Sequence, residues 1–120
     1  MSIAWSDAQH AAVERALQEH PKSSPRCADA ARAILPVARE RDAGAHALVV
    51  EPALPFARFV LPKHQPRPEW HHHVLVHTEA HGVDALTGPD GHWFETYLST
   101  YFDHPEAHAV SVTDLQQDAP

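Results

Sequence analysis

The hydrophobic positions at the start of the chain recur with the spacing of an α-helix. Between residues 7 and 20, apolar side chains stand three or four positions apart, which places them on one helical face. Ser6 or Asp7 can cap the first turn, and Pro21 ends the pattern. The apolar positions are Ala8, Ala12, Val13, Ala16 and Leu17.

A second helix is predicted over residues 25–41, with Ser24 as its N-cap and Pro25 at its first helical position. Pro36 lies inside this helix and is expected to kink or interrupt it, because proline lacks a backbone N–H. Gly44 marks the C-terminal stop. The apolar stripe of this helix consists of Cys27, Ala30, Ala31, Ile34, Leu35 and Ala38.

From residue 47 onward, short apolar runs bounded by turn-forming residues predict strands. The predicted strands cover residues 47–50, 56–61, 72–77, 83–86 and 109–112, with a turn over 79–82 and a short aromatic helix over 93–102. Two helices followed by a run of strands are typical of an α+β fold. We therefore expect a single domain over residues 1–120, with an antiparallel sheet packed on the Cys27 helix and a frayed tail over 114–120.

Charge is distributed unevenly along the chain, which has a net charge of −7. All nine Lys and Arg residues occur at or before Arg67, whereas residues 68–120 contain nine Asp and Glu and no Lys or Arg. Such an acidic half repels phosphate backbones, so we expect no nucleic-acid binding. No apolar run approaches the ~18 residues of a membrane span, so we expect no membrane association.

Cys27 is the only cysteine in the chain, and it lies at the predicted start of the second helix. At a helix start, unpaired backbone N–H groups and the positive end of the helix dipole favour a thiolate over a thiol. The thiolate is the nucleophilic form of cysteine. The position therefore predicts an activated sulfur, although a lone cysteine on an alanine-rich helix face is also typical of a small core residue.

A base for such a nucleophile is offered by three consecutive histidines, His71, His72 and His73, at the start of a predicted strand. Asp84 follows His73 by eleven residues, which in a hairpin turning near residues 79–82 brings the two side chains to the same level. An aspartate beside a histidine fixes the imidazole tautomer. We prefer His73 as the base, with His72 second. Asp84 could instead simply cap the turn that follows it.

Two segments of the chain, 26–31 (RCADAA) and 83–91 (VDALTGPDG), resemble the papain-fold toxin domains found at the C-termini of bacterial polymorphic toxins. Tyr97, which follows the second segment, is also similar to this group. The resemblance spans roughly residues 20–102, which is most of the chain. It implies a minimal papain-like core, in which a cysteine opens a helix and a histidine and an aspartate lie on neighbouring strands.

The resemblance also implies an activity and a context. Cys27 would be the nucleophile, His73 the general base and acid, and Asp84 the orienting carboxylate, acting on amide bonds of a protein substrate without a cofactor. The reaction would be peptide hydrolysis or glutamine deamidation, with transglutaminase-type acyl transfer left open. Such a domain would be secreted as part of a larger bacterial toxin, act in a target-cell cytoplasm and have a cognate immunity protein as partner.

One feature departs from the papain-like pattern. Papain-like enzymes usually place a Gln or Asn side chain shortly before the cysteine, as a second donor to the oxyanion. Residues 22–26 here are Lys, Ser, Ser, Pro and Arg. The backbone N–H of Cys27 supplies one donor by its position, and the second donor is left open.

Two alternatives come from other functional classes. His71, His72, His73, His77 and His81 offer many imidazoles for a metal-binding domain. Adjacent histidines on a strand point to opposite faces, however, so the triplet does not supply three ligands to one ion without irregular backbone. The other alternative is a non-catalytic inhibitor or immunity protein, whose acidic half would face a basic target.

Overall fold

The computed structural model describes residues 3–22 and 27–115. Its helices are α1 (Asp7–Glu19), α2 (Cys27–Arg41) and α3 (Tyr97–Tyr101), and its strands are β1 (His46–Pro52), β2 (His73–Thr78), β3 (His81–Val83), β4 (His92–Trp93) and β5 (His108–Thr113). Short 3-10 helices cover Phe94–Thr96 and Pro105–Ala107. The five strands form one antiparallel sheet in the order β4-β3-β2-β1-β5. The predicted α+β class is thereby confirmed.

The two N-terminal helices lie where the hydrophobic pattern predicts them. Ser6 caps α1 through a capping box with Gln9, in which each residue's side chain bonds the other's backbone N–H. α2 begins at Cys27 among the described residues, and the predicted cap Ser24 and Pro25 lie outside them. The expected interruption at Pro36 is wrong, because the helix continues through this residue to Arg41. Burial of its apolar stripe against the sheet offsets the missing hydrogen bond.

The hairpin between β2 and β3 is tighter than predicted. Glu79 and Ala80 alone form the turn, with φ values of 49° and 64°, which is the left-handed geometry that matches strand twist in two-residue hairpins. Thr78 consequently pairs with His81. The returning strand begins at His81 and ends at Val83, instead of covering residues 83–86.

The predicted strand over residues 56–61 is wrong. Its backbone groups form isolated hydrogen bonds with three different parts of the chain, not the regular hydrogen-bond ladder of a β-strand. The N–H of Val60 donates to the carbonyl of Trp70 at 2.9 Å, and the N–H of Leu61 donates to His108 Nε2 at 3.0 Å. The Leu61 carbonyl accepts from the Asp103 N–H at 2.8 Å. The segment is therefore an irregular connection fixed against the rim of the sheet.

Each face of the sheet carries its own apolar cluster. On one face, Val74 and Val76 of β2 pack with α1 and α2 in a group that includes Val13 and Ile34. On the other face, the alternate residue Leu75 packs with the buried side chains Trp70, Tyr97 and Phe102. β2 is therefore covered on both sides, and the aromatic segment predicted over 93–102 forms much of the second cover.

The described part of the chain ends in contact with α2. Leu115, in the tail predicted to fray over residues 114–120, is buried, and its carbonyl accepts hydrogen bonds from Arg32 at 3.3 and 3.4 Å. Residues 116–120 lie outside the described part of the chain. None of the helices in residues 3–22 and 27–115 has the length and apolar character needed to cross a membrane.

Candidate active site

The sheet opens where β3 ends, and this opening is the reason that α2 reaches the start of β2. Val76 pairs with Val83, the last residue of β3. Val74, two residues earlier on β2, therefore has no β3 partner. Its N–H donates instead to Cys27 Sγ at 3.4 Å. The first turn of α2 thus places the thiol in the gap beside the first residues of β2.

His73 and Asp84 meet on the other side of the same opening. His73 Nε2 lies 2.8 Å from Asp84 Oδ2, and the two side chains are only 1% and 3% exposed. Because an ionised carboxylate only accepts hydrogen bonds, the Nε2 of His73 carries the proton. The two side chains are brought together, although not at the same level of a strand pair. Because Val83 pairs with Val76 and ends β3, Asp84 lies past the strand and reaches His73 from the turn that follows. Nδ1 is the one ring nitrogen left to face Cys27.

Asp84 is held on both of its oxygens. Oδ1 accepts the N–H groups of Leu86 at 2.8 Å and Thr87 at 3.0 Å, which closes the turn after β3. Oδ2 accepts hydrogen bonds from His73 and from the hydroxyl of Tyr97. The aspartate therefore both caps the turn and binds the imidazole, so these two interpretations of Asp84 are compatible.

Aromatic side chains fix the plane of the His73 ring. Trp70 stacks on it with ring centroids 4.8 Å apart and planes inclined by 6°. The ring centroid of Phe102 lies 6.1 Å from that of His73. Tyr97 packs against Phe102 and is fully buried. This enclosure excludes water from the His73–Asp84 bond and strengthens its electrostatic component.

The charges of Cys27 and His73 are coupled. Burial alone would raise the pKa of the Cys27 thiol, but its interactions with His73 and the N–H groups of Val74 and Ala28 lower it below the usual value of 9.0. Burial alone would lower the pKa of His73, but Asp84 and Cys27 raise it from 6.5 to about 9. Nδ1 of His73 has no hydrogen bond of regular geometry to any described residue.

The pKa values of Asp84 and Tyr97 are shifted in opposite directions. Burial would raise the pKa of Asp84, but its bond to His73 and the charge there hold that pKa below its usual value. Burial and the neighbouring Asp84 charge raise the pKa of Tyr97 well above 10.0. At neutral pH, Tyr97 is therefore a hydrogen-bond donor to an ionised Asp84.

The remaining histidines of the cluster lie elsewhere. His71 and His72 are exposed, and His71 stacks on Phe59. His77 faces His46 across the β1–β2 pair, with ring centroids 5.0 Å apart. His81 stacks on Trp93. Within the described ranges, no group of three or more His, Cys, Asp or Glu side chains is arranged to hold a metal ion. The geometry therefore distinguishes His73 from the alternative base, His72.

A narrow groove adjoins the site. It has a volume of about 280 Å³ and lies between the end of α1 and the turn after Asp84. Leu17, Pro21, Lys22, Ala85 and Pro89 line it. A larger groove of about 580 Å³ runs between α2 and β5. Cys27, His73 and Asp84 line neither groove, but Ala85 in the smaller groove directly follows Asp84.

Sequence reasoning missed two contributors to this site. Trp70 forms a flat wall against the imidazole of His73, and its position just before the histidine triplet does not reveal this contact. Tyr97 belongs to the second apolar cluster, and its hydroxyl also binds Asp84. Its place after the 83–91 segment was the single available signal.

Comparison with known proteins finds no relative of this chain. Models of known protein families give no match to the chain. Searches among curated proteins and among solved structures also give no match.

Replacing Tyr97 by Phe should destabilise the fold by about 1.5–3 kcal/mol, because a hydrogen bond to a buried charged acceptor is lost. Urea unfolding at neutral pH measures this loss. Tyr101→Phe is the matched control, because Tyr101 is on the same helix, and its hydroxyl has no hydrogen bond among the described residues. Equal free energies of unfolding for the two variants would contradict the assigned role of Tyr97.

Proposed function

We propose that this protein is a thiol-dependent amide hydrolase with a papain-like site, in which Cys27 is the nucleophile, His73 the base and acid, and Asp84 the orienting carboxylate. The observation that carries the proposal is the imidazole of His73, bonded through Nε2 to a buried Asp84 and electrostatically coupled to Cys27. A core histidine needs no such pairing with a thiol at a helix start. The three groups together are the parts of a cysteine hydrolase.

The reaction would proceed in two halves. The Cys27 thiolate attacks the carbonyl carbon of an amide, and a C–S bond forms while the carbonyl oxygen becomes an oxyanion. When the tetrahedral intermediate collapses, the C–N bond breaks and the Nδ1 proton of His73 passes to the departing nitrogen. A water, deprotonated by His73, then attacks the thioester. This step releases a carboxylic acid and restores the thiolate and the imidazolium.

The nature of the departing nitrogen separates the two proposed activities. A backbone amide would release a peptide amine, and a glutamine side chain would release ammonia. An amine that replaces water in the second half would give transglutaminase-type transfer instead. The groove between α1 and the turn after Asp84 is the surface on which we place the substrate segment, because it adjoins the carboxylate end of the site.

The resemblance to toxin domains supports a cellular context for this activity. We propose a bacterial effector that acts on a protein of a target cell and is held inactive by a cognate immunity protein. The uneven charge of the chain, with no Lys or Arg after Arg67, suits a basic face on that partner.

We expect the Cys27 thiol to ionise at pH values below 9.0, the usual pKa of a cysteine thiol. Cys27 is ionised above its lowered pKa, and His73 stays protonated up to about pH 9, so the ion pair exists between these two values. Iodoacetamide alkylation, measured across pH, should give an apparent pKa below 9.0. His73→Gln should move it upward, because the positive charge is lost. An unchanged profile in that variant would argue against the pair.

The hydrolase activity itself is tested with a mixture of glutamine-containing peptides. The wild-type protein should form an acyl adduct on Cys27, seen by mass spectrometry of the intact chain, and convert the peptides. Peptidase activity yields shorter peptides, whereas deamidase activity yields Glu in place of Gln. Cys27→Ala should abolish both, because it removes the nucleophile and preserves a small apolar side chain. Conversion that persists in this variant would refute the proposal.

A further inference from the structure

His108, the first residue of β5, is a buried histidine that the reaction above does not use. Its Nε2 accepts the N–H of Leu61 at 3.0 Å, so this nitrogen carries a lone pair instead of a proton. Its Nδ1 lies 3.1 Å from the carbonyl oxygen of His104 and therefore carries the ring proton, because a carbonyl only accepts hydrogen bonds. The two hydrogen bonds exist together only in one tautomer of the neutral imidazole.

The two bonds of His108 join segments that are distant in the chain. Leu61 belongs to the irregular connection between β1 and β2, and His104 lies shortly before β5. His104 has a φ of 51°, a conformation that residues other than glycine seldom adopt and that persists where surrounding contacts fix it. Its carbonyl also accepts the N–H of Ala107 at 2.8 Å. The imidazole of His108 is therefore a fixed support for the connection.

The same stretch of the connection also holds Trp70. Val60, the neighbour of Leu61, donates its N–H to the carbonyl of Trp70 at 2.9 Å. Trp70 stacks on His73, the proposed base. Because the two bonded N–H groups are consecutive along the backbone, a displacement of Leu61 also moves the group that binds Trp70.

Phe102 contacts the rings of both histidines. Its ring centroid lies 5.0 Å from that of His108 and 6.1 Å from that of His73. Phe102 is fully buried, and close-packed interiors transmit small shifts from one side chain to the next. The position of His108 is thus coupled to the enclosure of His73 by packing as well as by the backbone.

Protonation of Nε2 would remove the acceptor that Leu61 uses. An imidazolium has two N–H donors and no acceptor, so two donors would face each other across 3.0 Å. In the described part of the chain, neither ring nitrogen of His108 bonds a carboxylate, so the added proton gains no ion pair in exchange. The titratable and charged side chains that flank its contact residues on the surrounding elements are Glu51, Lys63, His73, Asp103, His104 and Glu106.

We propose that His108 is a positioning residue, which keeps Trp70 stacked on His73 only while its own imidazole is neutral. Histidine is the side chain whose charge ordinarily changes between about pH 5 and pH 8. Acidification within this range would therefore free the N–H of Leu61 and loosen the stack. The effect on catalysis rests on the proposed hydrolase function, whereas the effect on Trp70 does not.

Two nuclear magnetic resonance measurements on the wild-type protein test this role without requiring catalysis. Amide exchange at Leu61, corrected for its intrinsic pH dependence, should be about tenfold less protected near pH 5.5 than near pH 7.5, because the N–H loses its acceptor. The amide of Lys63, which donates to the Tyr101 carbonyl at 2.8 Å, is the internal control and should keep its protection. The nuclear Overhauser effect between the ring protons of Trp70 and His73 should weaken over the same range.

His108→Gln is the matched variant, because a glutamine amide offers an acceptor and does not titrate. Near pH 5.5, about one unit below the usual imidazole value, it should keep the protection of Leu61 and the Overhauser effect. Its conversion of glutamine-containing peptides should fall less on acidification than that of the wild type. His10→Gln, the same change on the exposed surface of α1, should keep the pH dependence of the wild type.

A Leu61 amide that is equally protected at both pH values, or that loses protection together with Lys63, would overturn the role of His108. The same acid response in His108→Gln as in the wild type would also overturn it. If His108→Gln does not fold, the wild-type comparison of Leu61 with Lys63 decides alone. If both resonance measurements change as expected but no peptide is converted at any pH, the hydrolase proposal fails and the support of Trp70 by His108 stands.

Discussion

The buried bond between His73 and Asp84 is the interaction on which the rest of the site depends. Breaking a buried pair by removing one partner typically costs about 3–5 kcal/mol, because the remaining charge is left uncompensated. The structure meets this requirement by satisfying every oxygen of Asp84 from three directions: the turn after β3, the strand β2 and the helix α3. These three elements are therefore constrained to one arrangement, and the plane of the imidazole is constrained with them.

The short length of β3 allows the Cys27 thiol to lie beside the His73–Asp84 pair. Cys27 packs with the cluster on the helical face of the sheet, whereas His73 stacks on Trp70 of the opposite cluster. A continuous sheet would separate them. Because β3 ends at Val83, the N–H of Val74 is free to bond the sulfur, and groups from the two faces meet at the gap. The apolar covers then raise the strength of each charge interaction by excluding water.

Much of this arrangement could be predicted from the sequence, because it depends on local patterns. Helical periodicity located α1 and α2, and the positions of His73 and Asp84 on either side of one hairpin indicated that the two would lie close together. The pattern failed for residues 56–61, where the backbone bonds are made with Trp70, Asp103 and His108, partners that no local signal identifies. For the same reason it missed the stacking of Trp70 and the second bond of Tyr97, which exist only once distant segments pack together.

The protonation state of His73 tests the central claim most directly. Histidine-labelled protein can be titrated by nuclear magnetic resonance from about pH 5 to about pH 10, which brackets the usual imidazole range. The His73 signal is assigned by its loss in His73→Gln. If the imidazole is held as the cation between Asp84 and the Cys27 thiolate, its titration midpoint should lie at about 9. A midpoint at or below the usual value of 6.5 would contradict the ion pair and the account built on it.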